Sequence, residues 1–184
     1  MKKKSSPEHH LQLRVRELGQ LFNSMDPTPF LNKDLDREAE AFIETWAAEF
    51  TSDSRLKITI HLEHLPAEGE PSAIMVEAIH NYFDHKAGLV RGELKHLLRD
   101  GRISLLIGVS FVILCLIMAD VIGKLGTGPV INIARESLMI VGWVAMWRPL
   151  QIFLYDWWPL LRLIRVYKSI SHARVQVDRK STRL

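Results

Sequence analysis

Histidine and aspartate side chains lie at metal-compatible spacing in the N-terminal half of the chain. His80 and Asp84 are four residues apart, which places both on one face of a helix, and His61, His64 and His85 fall in or beside neighbouring elements. The segment HNYFDH lacks the glutamate of a zincin helix, and its first histidine alternates with apolar core positions. We therefore expect no metal site.

Motifs of nucleotide-binding and nucleophilic enzymes are missing from the sequence. It holds no glycine-rich phosphate loop, no nucleophile elbow and no CxxC pair, and its single cysteine, Cys115, excludes an intramolecular disulfide. We expect a protein that is not an enzyme, with no catalytic residue and no cofactor.

The stretch WRPLQIFLYDWWP sets an arginine and an aspartate inside an apolar and aromatic run. An ionisable side chain deep in a membrane costs several kcal/mol unless it is paired, hydrated or turned to a bundle interior. Arg148 and Asp156 share one helix face, but about 12 Å separates them along a straight helix, too far for direct contact. Arg148 therefore needs another partner: Gln151, a carbonyl freed upstream of Pro149, Asp120, or the Asp156 of another copy. We expect these side chains to form an intramembrane polar site, as an assembly contact more than as a polar lining or relay.

Residues 103–122, ISLLIGVSFVILCLIMADVI, are long and apolar enough to cross a bilayer. As a helix they span about 30 Å, the thickness of the hydrocarbon core. Asp120, near the far end, is the only charge among them. A buried helix of a water-soluble core is usually shorter and keeps a polar stripe, so we expect the first transmembrane helix here.

A second apolar block follows the turn-forming GKLGTGP, which lies in a predicted short external loop over residues 123–136. The block reaches spanning length only by crossing Arg148, and two registers are open. A span over about 131–148 puts Arg148 at the interface but leaves Arg135 and Glu136 within or near the outer boundary. A span over 137–158 puts Arg148 near mid-bilayer. We favour the second, because it places every aromatic and basic anchor where the bilayer prefers it. The predicted membrane-interface anchors are Trp157, Trp158, Arg162, Arg165 and Lys168.

Basic residues flank the membrane block on both sides, and the loop between the spans holds only Lys124 and Arg135. The positive-inside rule then places both termini in the cytoplasm, and the first residues offer no apolar signal segment. We expect a multi-pass inner-membrane protein with a cytoplasmic head over residues 1–102. Its basic cytoplasmic tail, residues 159–184, is expected to meet anionic lipid at the cytoplasmic face and not to bind nucleic acid.

The head is predicted to hold three helices and one strand. Leu11, Val15, Leu18 and Phe22 recur at helical spacing, and RLKITIHLEHLP alternates as a half-buried strand does. The predicted elements are helices over residues 8–24, 33–51 and 71–100 and a strand over 55–63. The acidic residues of the second helix are interpreted as a solvated face. The fold class is mainly α with one β-strand, a cytoplasmic α/β head joined to a two-helix transmembrane hairpin.

A single strand has unpaired backbone donors and acceptors, and open edges invite another chain. We therefore expect Ile58, Thr59 and Ile60 to pair with the same strand of a neighbouring subunit, or with a partner. The alternative is a short hydrated segment packed on the helices.

Two stretches, SMDPTPFLNKDLDREAEAFIETWAAEF and GWVAMWRPLQIFLYDWWP, resemble those of a family of small, functionally uncharacterised bacterial inner-membrane proteins. The shared motifs are DPxPF with DLD, and WRPL with LYDWWP. The resemblance covers most of the chain. It implies a location in the bacterial inner membrane and transfers no catalytic residue.

Three functions fit these patterns. The first is a non-enzymatic homo-oligomer in the membrane, joined by its cytoplasmic strand and its hairpin, that acts as a scaffold or small channel. The second is an accessory or regulatory subunit that recruits a soluble protein partner or modulates a membrane transporter or enzyme. The third, which we favour least, is a membrane metalloenzyme that uses the histidines. The patterns do not reveal a substrate, a subunit number or a pore.

Overall fold

A computed structural model describes residues 8–17, 20–23, 25–29, 31, 33–50, 55–63, 71–126 and 128–179. The chain divides into two compact units. Unit 1 comprises Met1–Val90 and Arg162–Leu184, and unit 2 comprises Arg91–Leu161. Each unit has its own packing.

The described residues are mainly helical, as predicted, but they contain three strands where one was expected. The strands are β1 (Glu8–Val15), β2 (Arg55–Leu62) and β3 (Arg174–Arg179). The α-helices are α1 (Arg37–Ala48), α2 (Pro71–Leu125), α3 (Pro129–Ala145), α4 (Trp147–Gln151) and α5 (Trp157–Ser171). A π-helical segment, Ile152–Asp156, lies between α4 and α5.

The three strands form one parallel sheet in unit 1, in the order β1-β2-β3. In its register, Ile58 of β2 lies opposite Leu11 on one side and Val175 on the other. Parallel neighbours require long crossover connections, and here helices provide them. The sheet therefore joins segments from the beginning, the middle and the end of the chain.

The predicted helix over residues 8–24 is wrong over its first half, which is β1. Leu11 and Val15 fit helical spacing, but Leu13 between them fits only alternation, and the polar residues His10, Gln12 and Arg14 occupy the other face. Leu11 is buried against the sheet partner Ile58. Eight residues are too few to distinguish helical spacing from strand alternation, so pairing with β2 decides the structure. Of the two residues that completed the helical pattern, Leu18 lies outside the described residues, and Phe22 is buried and forms a β-bridge with Leu35.

The strand over residues 55–63 is confirmed as β2, but the prediction that Ile58, Thr59 and Ile60 pair with another chain is wrong. β2 is the central strand, so β1 and β3 of the same chain take its backbone donors and acceptors on both sides. Among the described residues, the outer edges of β1 and β3 stay unpaired.

Part of the predicted basic tail is also wrong, because the segment after the second apolar block belongs to a folded unit. Ile164, Tyr167 and Ile170 of α5 are buried, and β3 follows α5 directly. Val175 and Val177 of β3 lie on the same face of the sheet as Ile58 and Ile60. The segment therefore completes the core of unit 1.

Side chains from one face of the sheet and from three helices fill the core of unit 1. Alternation along β2 puts Leu56, Ile58, Ile60 and Leu62 on that face, as predicted. The buried helical side chains are Ile43 and Ala47 of α1, Met75, Ile79 and Phe83 of α2, and Ile164, Tyr167 and Ile170 of α5.

α1 is shorter than the predicted helix over residues 33–51. The Asp36 carboxylate accepts the N–H groups of Glu38 and Ala39 at 3.0 and 3.4 Å, which caps the helix and fixes its start. Leu35 is already engaged in a β-bridge with Phe22.

The predicted helix over residues 71–100 and the first apolar span form one continuous helix, α2, of 55 residues. At about 1.5 Å per residue it is roughly 80 Å long. By length and composition, two helical stretches of the described chain could cross a membrane, Ala73–Lys124 and Pro129–Ser171.

Asp26 closes the loop between β1 and α1. Its carboxylate accepts the N–H of Asp34 at 2.7 Å and the N–H of Thr28 at 3.0 Å, beside the bridge between Phe22 and Leu35. Both bonds favour the charged form, so they hold the pKa of Asp26 below its ordinary value of 3.8, the Asp34 bond having the larger effect. Asp26 of the DPTPF motif thus has a structural role.

This loop predicts a dependence of stability on acid pH. Because the folded state has the lower pKa, the contribution of Asp26 is present above pH about 4 and is lost as the pH falls through the folded-state value. We expect Asp26→Asn to lower Tm at pH 7, and the difference from wild type to shrink at lower pH, as measured by tryptophan fluorescence in detergent. The exposed Glu77→Gln is the control. A difference that stays constant down to pH 2 would show that the Asp26 charge is not responsible.

Candidate functional site

Small residues form the contact between α2 and the helices that follow it in unit 2. Gly101, Gly108 and Cys115 recur every seven residues along α2 and are buried, as is Gly142 of α3. A Cβ added at Gly101 would lie 2.8 Å from Ile152 Cγ2, and one added at Gly142 would lie 3.3 Å from Cys115 Cβ. The helices therefore approach too closely for larger side chains. We call this contact the glycine seam.

Along the glycine seam, residue numbers rise on α2 while they fall on the helices that face it. Gly101 meets Ile152, Gly108 meets Ala145 and Met146, and Gly142 meets Cys115. The helices are thus antiparallel. Arg148 lies four residues before Ile152, so its backbone is about 6 Å along the axis from the level of Gly101.

Pro149 interrupts the backbone ladder beside the seam. It has no N–H to donate to the Ala145 carbonyl, and α3 ends at Ala145. The Ala145 oxygen would lie 3.3 Å from a Cβ at Gly108, so only glycine lets it approach α2 this closely. Pro149 itself is buried.

The π-helical segment begins directly after Gln151 and changes the direction in which the later side chains point. Its i→i+5 hydrogen bonds put more residues in each turn than an α-helix does. The Trp157 indole N–H donates to the Phe153 carbonyl at 2.8 Å, inside this irregular stretch. π-Helical turns are frequent at functional sites, which makes this stretch a candidate.

Arg148 pairs with Asp156 of its own chain, and our prediction that the two are too far apart is wrong. Arg148 Nη1 lies 3.5 Å from Asp156 Oδ2. The estimate of about 12 Å assumed one straight α-helix, but the π-helical segment intervenes between the two residues. The Arg148 side chain remains 61% exposed and that of Asp156 27%. A pair this open contributes at most about 1 kcal/mol.

The other two members of the predicted polar site are not brought to this pair. Asp120 lies five residues beyond Cys115 on α2 and pairs with Lys124 at 2.6 Å, four residues along the same helix. Gln151 is exposed, and within the described part of the chain its side chain has no hydrogen bond to Arg148. The predicted site therefore separates into an Arg148–Asp156 pair and an Asp120–Lys124 pair.

The predicted interface anchors occupy two environments. Trp157 and Trp158 lie side by side, with ring centroids 5.3 Å apart, in unit 2. Arg162 belongs to unit 1, where it donates to the Ala48 carbonyl at the end of α1 at 3.2 Å. Arg165 and Lys168 are exposed and line a cleft of unit 1.

The histidines singled out by spacing are not gathered into one site. His80 Nε2 bonds the Ala173 carbonyl at 2.9 Å, and His61 Nδ1 lies 3.7 Å from Asp178 Oδ2. Asp84 and His85 are exposed, and His64 lies outside the described residues. Among the residues that the structure describes, no group of three histidine, cysteine or acidic side chains could hold a metal ion.

Two acids of α1 are structural and not solvated, contrary to our interpretation. Glu40 accepts the Tyr82 hydroxyl at 2.7 Å and pairs with Lys86, and Glu44 accepts the Tyr167 hydroxyl at 3.0 Å. Burial, and then the bond to Glu40, raises the pKa of Tyr82. These contacts tie α1 to α2 and α5, and no periodicity in the sequence could have revealed them.

Comparisons with protein-family models, with curated proteins and with solved structures find no match for this chain. The resemblance to small bacterial inner-membrane proteins therefore stays a prediction.

The glycine seam predicts which glycines tolerate a side chain. We expect Gly108→Leu to lower stability by about 1–3 kcal/mol, because the added atoms meet Met146 and a backbone carbonyl. Gly92→Leu is the control, since nothing lies within 4 Å of its added Cβ, and it should leave Tm unchanged or slightly higher. Equal losses of Tm in detergent for both variants would contradict the seam.

Proposed function

We propose that this protein is a non-enzymatic scaffold of the bacterial inner membrane. Its two apolar helical stretches form a transmembrane hairpin, and unit 1 is a cytoplasmic head. The head is displayed at the membrane surface for assembly and for a soluble protein partner. The observation that carries the proposal is the parallel pairing of β2, which precedes both stretches, with β3, which follows them.

The β2–β3 pairing restricts how the chain can cross a membrane. Unit 1 takes its residues from both sides of the segment Arg91–Leu161, so that segment must leave unit 1 and come back to it. An odd number of crossings would separate two hydrogen-bonded strands by a bilayer. Two candidate spans packed antiparallel along the glycine seam satisfy this requirement.

The glycine seam also favours the register that we had ranked second for the second span. Ile152 lies opposite Gly101, two residues before the start of the first apolar span at Ile103. Because the helices are antiparallel, the residues that lie beside the first span are those that precede Ile152 in the sequence. Arg148 then lies about 3 Å inside the edge of the span. From there its guanidinium can extend to Asp156 at the interface. The span over about 131–148 therefore replaces the one over 137–158 in our proposal.

Cysteine labelling tests the topology. In a Cys115→Ala background, Lys124→Cys and Arg174→Cys place single thiols in the predicted external loop and in the head, both in described, exposed positions. We expect an impermeant maleimide added to intact spheroplasts to label Lys124→Cys and spare Arg174→Cys. After permeabilisation both should react. Glu38→Cys, at an exposed position of α1, is the matched control for the head and should follow Arg174→Cys.

Equal labelling of Lys124→Cys and Arg174→Cys in intact spheroplasts would overturn the two-span arrangement. Labelling of Arg174→Cys without Glu38→Cys would show that the two ends of unit 1 lie on opposite sides, which the sheet forbids.

Assembly into a homo-oligomer is retained in the proposal, with its contact moved from β2 to the hairpin. Trp143 lies beside Gly142, near the middle of the apolar stretch, and its side chain is 73% exposed. Tryptophan favours the interface over the bilayer centre, because its indole N–H needs an acceptor. Among the described residues Trp143 has none. A second hairpin packed on this face would remove it from lipid and supply acceptors.

The mass of the purified detergent complex tests the assembly. We expect a multiple of the 21.2 kDa chain for wild type and a shift toward the single chain for Trp143→Leu. Trp158→Leu, which removes a similarly exposed tryptophan outside the seam level, should keep the oligomer. A single-chain mass for wild type would refute the oligomer and leave the membrane topology untouched.

A further inference from the structure

A cleft of about 640 Å³ opens in unit 1 where the first residues of the strands meet α5. Three elements supply its basic lining: Arg55 at the start of β2, Arg165 and Lys168 on α5, and Arg174 at the start of β3. Parallel strands start at one edge of a sheet, so their terminal side chains meet there. The cleft is a consequence of the sheet topology.

The charge of this cleft is strongly one-sided. Four permanent cations face one carboxylate, that of Glu8 at the start of β1, which lies opposite Arg55 in the sheet. Within the described part of the chain, none of the four forms an ion pair. Like charges that converge without partners repel, and a bound anion removes that cost.

The positive-inside rule accounts for basic residues near the second span but not for this convergence. Arg55 precedes both spans by many residues, and yet it lines the same concavity as Arg165. The four basic residues line one concavity, which is the arrangement of a binding site.

Further groups in the cleft suit a specific ligand. The Ser169 hydroxyl adds a neutral donor, and His172 is held in place because its Nδ1 lies 2.8 Å from the Lys168 carbonyl oxygen. Leu56 and Ile164 add an apolar wall. The volume falls in the range of small-molecule sites, about 300–1,000 Å³.

We propose that this cleft binds the phosphate group of a small ligand. Planar guanidinium groups match phosphate oxygens bidentately, and Arg55, Arg165 and Arg174 provide three of them. Lys168 adds a point charge. Two sources share this chemistry, a soluble phosphate ester and the headgroup of an anionic phospholipid. The site lies wholly within unit 1, so the proposal stands whether or not the membrane scaffold is correct.

Calorimetric titration of the full-length protein in detergent and chloride buffer tests the site. One arm adds inorganic pyrophosphate and ATP, and the other adds short-chain phosphatidylglycerol with short-chain phosphatidylcholine as its uncharged counterpart. Saturable binding in the first arm identifies a soluble phosphate ligand. Binding of phosphatidylglycerol alone identifies a lipid headgroup. Either result supports a phosphate site.

Matched charge variants separate a built site from diffuse attraction. Arg165→Gln/Lys168→Gln removes two cations that line the cleft and should weaken Kd by at least about tenfold. Arg91→Gln/Lys95→Gln removes the same charge from exposed positions of α2 outside the cleft and should leave Kd within about twofold. Arg55→Gln should weaken binding as well, although it lies far from α5 in sequence.

Two results would overturn the proposal. One is a wild-type protein that binds none of the phosphate probes. The other is an equal loss of affinity in the cleft variant and the α2 variant, which would mean nonspecific charge attraction. Tm in the absence of probe confirms that the variants compared are folded.

Discussion

The backbone hydrogen bonds between β2 and β3 hold together parts of the chain that the long helical segment separates. Lys57 to Leu62 pair in parallel with Arg174 to Arg179, and β1 pairs with the other side of β2. Without β3, β2 would lose half of its ladder, and the core would lose Val175 and the buried side chains of α5 that lead into it. The chain therefore returns to the sheet after the long helical segment.

Unit 2 depends on a different physical constraint, the close packing of α2 against the helices that follow it. Gly101, Gly108 and Cys115, at seven-residue intervals on α2, and Gly142 of α3 let the backbones approach, and Pro149 frees a carbonyl beside Gly108. The π-helical segment beyond this point brings Asp156 within reach of Arg148. Arg148 thus has its counterion eight residues away on the same chain. The question of which neighbour satisfies Arg148 has a local answer.

Alternation in the sequence predicted β2, and apolar length predicted the long helices, because both signals are local. β1 escaped because Leu11 and Val15 satisfy helical spacing as well as strand alternation, and only its pairing with β2 decides. β3 was not predicted because its two valines lie in a basic stretch, whose charge the positive-inside rule already explained. Pairing between strands so far apart in sequence leaves no trace in a single chain.

The candidate site shows the same limit. Residue types at Arg148 and Asp156 pointed to a polar site, and that much could be read from the sequence. Their contact could not, because a straight helix was assumed and the π-helical segment carries no clear composition signal. The basic cleft was hidden for a similar reason, since Arg55 and Arg165 meet only through the sheet.

Electron paramagnetic resonance on the full chain in lipid tests the β2–β3 pairing most directly. Spin labels at Lys57→Cys and Arg174→Cys, in a Cys115→Ala background, would sit on residues that face each other across neighbouring strands, with backbones about 5 Å apart. The account predicts strong dipolar broadening in the doubly labelled protein compared with either single label. Spectra that equal the sum of the single labels would contradict the pairing, and with it the proposal that the long helical segment crosses the membrane an even number of times.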